Sequence, residues 1–230
     1  MGNNTSIDKQ SQPYGAQKAQ ESIPRIAAIV DTPPTHSKMG ADVDNLYALF
    51  QKAAQQHPHN NCFGHRQINK DQSLGEFTFQ TYKHVQAKAT HLGAGVATLN
   101  LPPKSTFAMY MANCETFQII TLGCFSRGLT CVPVYDTLGD NILTYELNHA
   151  DVPILFVEAS KLASVAAVLK DCPSLKHVVL VQELSHVDSA VVKLFDAAGV
   201  NLTDVASLSA AGAAKPIAAS PPSGDDLAFI

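Results

Sequence analysis

The side chains able to act as nucleophiles or metal ligands are five cysteines (Cys62, Cys114, Cys124, Cys131 and Cys172) and nine histidines. An odd number of cysteines with no C-x-x-C pair argues against a disulfide framework or a thiolate zinc site, and fits a reducing compartment. Each reads more simply as a small buried hydrophobe than as a reactive thiol. His57-Pro58-His59 is the closest histidine pair, but it stands at a polar helix end beside Asn60-Asn61 and reads as a solvated loop. His84 and His91 share a helix face without a carboxylate at ligand spacing. Gly93-Ala94-Gly95-Val96-Ala97-Thr98 opens like a dinucleotide fingerprint, yet it lacks the third glycine and lies inside a helical pattern rather than after a strand. There is no G-x-S-x-G elbow and no glycine-rich loop to cradle phosphates. No catalytic, cofactor-binding or metal residue is therefore assigned. One modification site is a candidate. Met1-Gly2-Asn3-Asn4-Thr5-Ser6 fits the pattern M-G-x-x-x-[S/T], which makes Gly2 a candidate acceptor for lipidation, with a plain disordered terminus as the alternative. A single myristoyl chain binds membranes only marginally, and Lys9, Lys18 and Arg25 are too sparse for a polybasic patch.

The elements that would position any site follow from periodicity. Residues 1–41, rich in Gln, Asn, Ser, Pro and Thr and broken by Pro33-Pro34, read as a disordered N-terminal arm. From Asp42, a plausible N-cap, the spacing of Val43, Leu46, Tyr47, Leu49, Phe50, Ala53 and Ala54 predicts a helix ending at His57-Pro58. Cys62 to Ile68 and Glu76 to Phe79 predict a hairpin. Thr81 caps a helix bearing Tyr82, Val85, Ala89, Leu92, Val96 and Leu99, and Asn113 caps another from Cys114 to Arg127, with Gly128 at its C-cap. Ser105–Met111, Thr130–Tyr135, Pro153–Val157 and His177–Val181 read as strands. They alternate with helices over Cys114–Arg127, Asp140–Asn148 and Ser160–Leu169. That order predicts a parallel sheet with crossover helices. Ser189–Ala198 and Val205–Ala211 read as helices, Ala210–Gly224 as a linker, and Leu227–Ile230 as the start of another strand.

A chain of 230 residues with 46% hydrophobic and 16% charged side chains has an ordinary globular balance. The net charge of −4 offers no cationic field, which excludes nucleic acid as a partner. No apolar run reaches the roughly 20 residues of a membrane span.

The stretch Val132-Pro133-Val134-Tyr135-Asp136-Thr137-Leu138-Gly139 closes the strand Thr130–Tyr135 and precedes the Asp140–Asn148 helix. It resembles the strand–turn–helix of long-chain fatty-acyl-CoA synthetases, members of the adenylate-forming, AMP-binding superfamily. There the region reads Val-Pro-Leu-Tyr-Asp-Thr-Leu-Gly and is followed by a Tyr and an Asn, here Tyr145 and Asn148. Met111-Ala112-Asn113-Cys114-Glu115-Thr116-Phe117 matches that family's Ala-Asn-Asn-Arg-Pro-Glu-Trp in part: Asn113 holds, Cys114 replaces the usual Arg, and Phe117 replaces the Trp. The resemblance covers about Ala41 to Ile230. In the family, a segment like Asp225-Asp226-Leu227-Ala228-Phe229-Ile230 leads into the loop that grips ATP phosphates.

The resemblance implies an α/β fold, the N-terminal subdomain of the adenylate-forming fold, over residues 42–230 and truncated before the phosphate-binding loop. It implies a fragment of a long-chain fatty-acid–CoA ligase that is inactive alone. The complete enzyme would use ATP, Mg²⁺ and CoA, none binding this chain tightly by itself. The implied partners are a long-chain fatty acid, the missing C-terminal part of the ligase, and a peripheral membrane surface, with an intracellular location at the cytosolic face of a membrane. Tyr135, Asp136 and Thr137 either border the acyl or CoA crevice, or form the turn and cap of the following helix. Two other functions stay open: a catalytically silent, lipid-anchored interaction module, and an adenylate-forming ligase for another carboxylic acid.

Overall fold

The computed structural model describes residues 11–13, 16, 25–27, 43–135, 139 and 141–230. It divides the chain into two units, Met1–Val43 and Asp44–Ile230. In the first, β1 (Ser11–Pro13) pairs antiparallel with β2 (Arg25–Ala27). The pairing falls within the stretch read as an arm, whose other residues lie almost wholly outside the described set, Gly2 among them.

The second unit opens with α1 (Leu46–Gln56), capped by Asn45, whose side-chain oxygen accepts the Ala48 N–H at 2.8 Å. The expected cap, Asp42, lies outside the described residues. His57 closes the helix as expected. A hairpin follows, β3 (Asn61–Ile68) and β4 (Leu74–Thr81), longer than the periodicity indicated. Thr81 caps α2 (Tyr82–Ala97) through the His84 N–H at 3.3 Å.

The alternating strands and helices come next. They are β5 (Thr106–Tyr110), α3 (Glu115–Phe125), β6 (Thr130–Pro133), α4 (Ile142–His149), β7 (Ile154–Val157) and α5 (Leu162–Val168). The series ends with β8 (His177–Leu180), α6 (Ser189–Ala198), β9 (Asn201–Asp204) and α7 (Val205–Ala214). All four predicted strands join one parallel sheet in the order β6-β5-β7-β8-β9. β9 is an addition: Asn201-Leu202-Thr203-Asp204 carries a single large apolar side chain, which does not mark it as a strand.

Several boundaries differ from expectation. The N-cap position of α3 is Cys114 rather than Asn113, and no side chain caps it. Helix α7 runs to Ala214, so the start of the expected linker is helical. The rest of that linker lies back on the body. The Ser220 N–H donates to the Ser126 carbonyl at 2.8 Å, the Arg127 guanidinium to the Ala218 carbonyl at 2.6 Å, and the Asn45 amide to the Pro222 carbonyl at 3.0 Å.

Strand residues alternate between two cores. Phe107, Met109, Ile154, Phe156 and Val179 face α2, α3 and α7, while Ala108, Tyr110, Leu155, Val157, Val178 and Leu180 face α4, α5 and α6. The chain steps from β5 to β6 in one direction and from β6 to β7 in the other. Right-handed crossovers taken in opposite directions must put their helices on opposite faces, and they do.

The glycines of α2 explain why it is not a nucleotide loop. A Cβ on Gly95 would strike the Leu208 carbonyl of α7, and one on Gly93 would lie 2.8 Å from the Gly123 oxygen of α3. A Cβ on Gly212 would strike the His91 carbonyl and lie 2.5 Å from the Gly95 nitrogen. Three helices thus meet backbone against backbone.

Leu227–Ile230 begins to extend the sheet beside β6. Cys131 forms a parallel bridge with Phe229, donating its N–H to the Ala228 carbonyl at 2.9 Å and accepting the Ile230 N–H at 3.0 Å. Among the described residues, no helix is long and apolar enough to cross a membrane.

The expected anchors of α3, Ile119, Ile120, Leu122 and Phe125, are all buried. Phe125 meets Phe107 edge-on at 6.2 Å and Phe229 at 5.5 Å, so its ring joins the sheet to the C-terminal run. Phe125→Ala should destabilise the chain by about 3–5 kcal/mol in urea unfolding, because a ring-sized cavity opens among partners that cannot all collapse. An unchanged midpoint would contradict this packing.

Candidate functional site

In a parallel sheet, ligands sit outside the carboxyl ends of the strands, where successive connections diverge to opposite faces. Here that point lies between β5, which leads to α3 on one face, and β7, which leads to α5 on the other. Two loops meet there, one starting at Tyr110 and one at Glu158.

Glu158 holds the two loops together. Its Oε2 accepts the Ala112 N–H at 3.2 Å, and its Oε1 accepts the Ser160 hydroxyl at 3.0 Å and stands 3.8 Å from Lys161 Nζ. Its own N–H donates to the Tyr110 carbonyl at 3.3 Å. Lys161 Nζ lies 4.5 Å from the centre of the Tyr110 ring, within cation–π range. From the end of β8, Gln182 Oε1 accepts the Ala159 N–H at 2.7 Å. The Glu158 and Lys161 side chains are 23% and 19% exposed, so the pair sits partly out of water. This arrangement ties three strand ends into one rim carrying a carboxylate and an ammonium. Its one hydroxyl, Ser160, is bonded to a carboxylate already shared with the Ala112 N–H and Lys161, so the role the rim supports is to shape and orient.

Sequence reasoning did not find Glu158, Lys161 or Gln182. Of the residues it singled out, Tyr135 is exposed at the end of β6, whereas Asp136, Thr137 and Leu138 lie outside the described residues. Gly139 has φ +106° and Asn141 φ +62° on the approach to α4, whose cap position carries no side-chain hydrogen bond. Burial pushes the Glu146 carboxyl of α4 up, against the opposing pull of a hydrogen bond from the Tyr135 backbone. Tyr145 and Asn148 are on the outer side of α4. Tyr145 stacks on His149 at 5.2 Å, and Asn148 donates to the Asp171 carbonyl at 2.8 Å. With Asn141 and Thr144 they line an open surface groove.

Cys124, Cys131 and Cys172 are buried, Cys62 is half-buried and Cys114 is exposed; all five are free thiols. Among the described residues, no three His, Cys, Asp or Glu side chains stand close enough together to hold a metal ion.

Residues 50–230 match the model of the AMP-binding enzyme family. The chain belongs to that family. Long chain acyl-CoA synthetase 2 of Arabidopsis thaliana is 32% identical over 145 residues, which is 63% of this chain and 22% of the relative. Long-chain-fatty-acid–CoA ligase 1 of Homo sapiens is 28% identical over 211 residues, 90% of this chain and 29% of the relative. This chain thus spans well under a third of the curated relatives it matches. Among solved structures, the adenylation domain of a carboxylate reductase from Mycobacterium chelonae superposes with a TM-score of 0.68 at 15% identity, over 80% of this chain and 31% of that one. An anthranilate CoA ligase superposes with a TM-score of 0.61 at 14% identity, over 80% and 31%. At these identities the structures establish the fold of an adenylate-forming domain. The sheet and its rim are therefore part of an AMP-binding α/β domain.

Two outcomes follow from the rim and its neighbours. Glu158→Ala leaves the Ala112 N–H and Lys161 without this acceptor and should cost about 1–3 kcal/mol in urea unfolding, with Glu158→Gln recovering part of the loss. Burial pushes the Cys131 thiol up to about 12 and the Cys124 thiol well above its usual range. At pH 8 both stay protonated, so maleimide should label Cys114 first and reach Cys124 and Cys131 only after unfolding. Labelling of Cys131 at the rate of Cys114 would contradict the burial.

Proposed function

We propose that this chain supplies the N-terminal part of a long-chain fatty-acid–CoA ligase. The observation that carries the proposal is its 26–32% identity to long chain acyl-CoA synthetases 1 and 2, within an established AMP-binding family. The complete ligase would convert a fatty acid, ATP and CoA to acyl-CoA, AMP and pyrophosphate through an acyl-adenylate, with Mg²⁺. Within it, the rim at Tyr110, Glu158 and Lys161 would form a wall of the crevice that holds the acyl and CoA groups, and the two-sided core would hold that wall rigid.

The residues present do not fit ATP. Phosphates need close backbone N–H donors and cations, and the complete ligase's first step would bring two anions together. The glycines of α2 are occupied in helix packing, and no described cluster suits a metal ion. Phosphoryl chemistry is therefore assigned to the remainder of the ligase, and none of it to this chain. A fatty acid is an amphiphile, so the proposal includes peripheral attachment at the cytosolic face of a membrane, supported by the lipidation pattern at Gly2.

The test is fatty-acid-dependent ATP–pyrophosphate exchange. The 230-residue chain alone should give none. A fusion of the whole chain to the part of Arabidopsis Long chain acyl-CoA synthetase 2 lying C-terminal to the matched segment should exchange with palmitate. Robust exchange by the purified chain alone would overturn the division of labour. A folded fusion that exchanges only with aryl or medium-chain acids would move the assignment to another adenylate-forming ligase, and one that exchanges with none would favour a silent module.

A further inference from the structure

The β3–β4 hairpin turns its apolar side outward. Gly64 pairs with Phe79, Arg66 with Phe77 and Ile68 with Leu74, which puts these six residues on one face. Phe77 and Phe79 stack at 5.8 Å, and the Phe79 ring lies over Gly64. All four large apolar side chains of this face are more than half exposed: Ile68 67%, Leu74 57%, Phe77 58% and Phe79 51%. The opposite face holds the body, with Phe63 packed against the core. His65 Nδ1 lies 3.1 Å from Glu115 Oε2 at the start of α3, and buried Gln80 accepts from Lys88 Nζ at 2.8 Å. Both strands also keep an outer edge with no strand partner among the described residues.

A two-stranded ribbon with a bare apolar face is marginal in water; it becomes stable with a third strand or a packed cover. We infer that this face and the adjoining strand edge dock the C-terminal remainder of the ligase, which adds a strand and covers Phe77 and Phe79. The inference rests on the ligase reading above. Two observations select this occupant. The chain spans only 22% and 29% of two relatives, so most of a ligase of their length lies outside it. The only charged residue of the face, Arg66, is already turned inward. It donates to the Gly75 carbonyl at 2.8 Å and the Leu74 carbonyl at 3.1 Å, and it lies 5.6 Å over the Phe77 ring. A cation meant for lipid headgroups would reach away from the apolar surface, whereas one folded onto it suits a polypeptide cover.

Hydrogen exchange tests this on the 230-residue chain and on the fusion described above. Amides of residues 61–81 should exchange quickly in the chain alone and at least about tenfold more slowly in the fusion. Phe77→Ser with Phe79→Ser should abolish that added protection and lower the melting temperature of the fusion by several degrees. The same pair should leave the melting of the isolated chain unchanged and reduce its binding of the apolar dye anilinonaphthalene sulfonate. Leu194→Ser, at an exposed leucine of α6, should change none of these.

An active fusion whose hairpin gains no protection overturns the docking surface and leaves the ligase reading standing. A protected hairpin in a fusion that never exchanges pyrophosphate sinks the ligase reading alone. Protection in the isolated chain at dimer mass would give the face to a second copy. Protection only with phosphatidylserine–phosphatidylcholine vesicles would give it to lipid. Either result overturns the inference, as does an isolated chain whose double variant melts markedly lower.

Discussion

Everything in the larger unit hangs on the backbone-to-backbone approach of α2 to α3 and α7. Gly93 and Gly123 let the first pair close, and Gly95 and Gly212 the second. With any side chain at these positions the helices would stand further apart. Val85, Ala89 and Leu92 would then no longer reach Phe107 and Phe156 on the sheet. Helix α2 precedes the first strand of the sheet and α7 follows the last, so the seam joins the two ends of the α/β run. The sheet is held by this closure as much as by its own ladders.

That rigidity matters at the opposite edge of the strands. The rim joins the ends of β5, β7 and β8 through side chains on two short loops, and a hydrogen bond of about 3 Å survives only if the strands keep their stagger. Hydrogen bonds to a charged group are worth more than neutral ones, and partial exclusion of water strengthens them further. The loops at a switch point are usually free to vary; here Glu158 makes them one body.

The strands and helices with clear patterns were legible: the four strands of the sheet that carry apolar runs, the hairpin, the Thr81 cap, and α6 to the residue. Local pattern carries that information. The seam was half legible. Gly93 and Gly95 drew attention as a failed phosphate motif, but Gly123 and Gly212, which explain them, lie 28 and more residues away. Glu158 and Lys161 look like ordinary helix-start charges in the sequence. Their role exists only because Ala112 and Tyr110 arrive from a loop some 46 residues earlier. Strand β9 has one large apolar residue, Leu202, among polar ones, and its place comes from pairing with β8. The family turn was recognised from residue types, yet the positions of Asp136, Thr137 and Leu138 fall outside the described residues.

Pro133 gives the last strand contact a definite limit. Thr130 and Val134 direct their N–H groups to β5, so Cys131 and Pro133 face the other way, towards Leu227–Ile230. Cys131 takes up both of its bonds there. The next rung of a parallel ladder would require an N–H from Pro133 to the Ile230 carbonyl, and proline has none. The geometry therefore allows a single full rung and then withholds the donor. Whatever lies along this margin is gripped firmly at one residue and released at the next, like a hinge pin set in the border of an otherwise stiff plate.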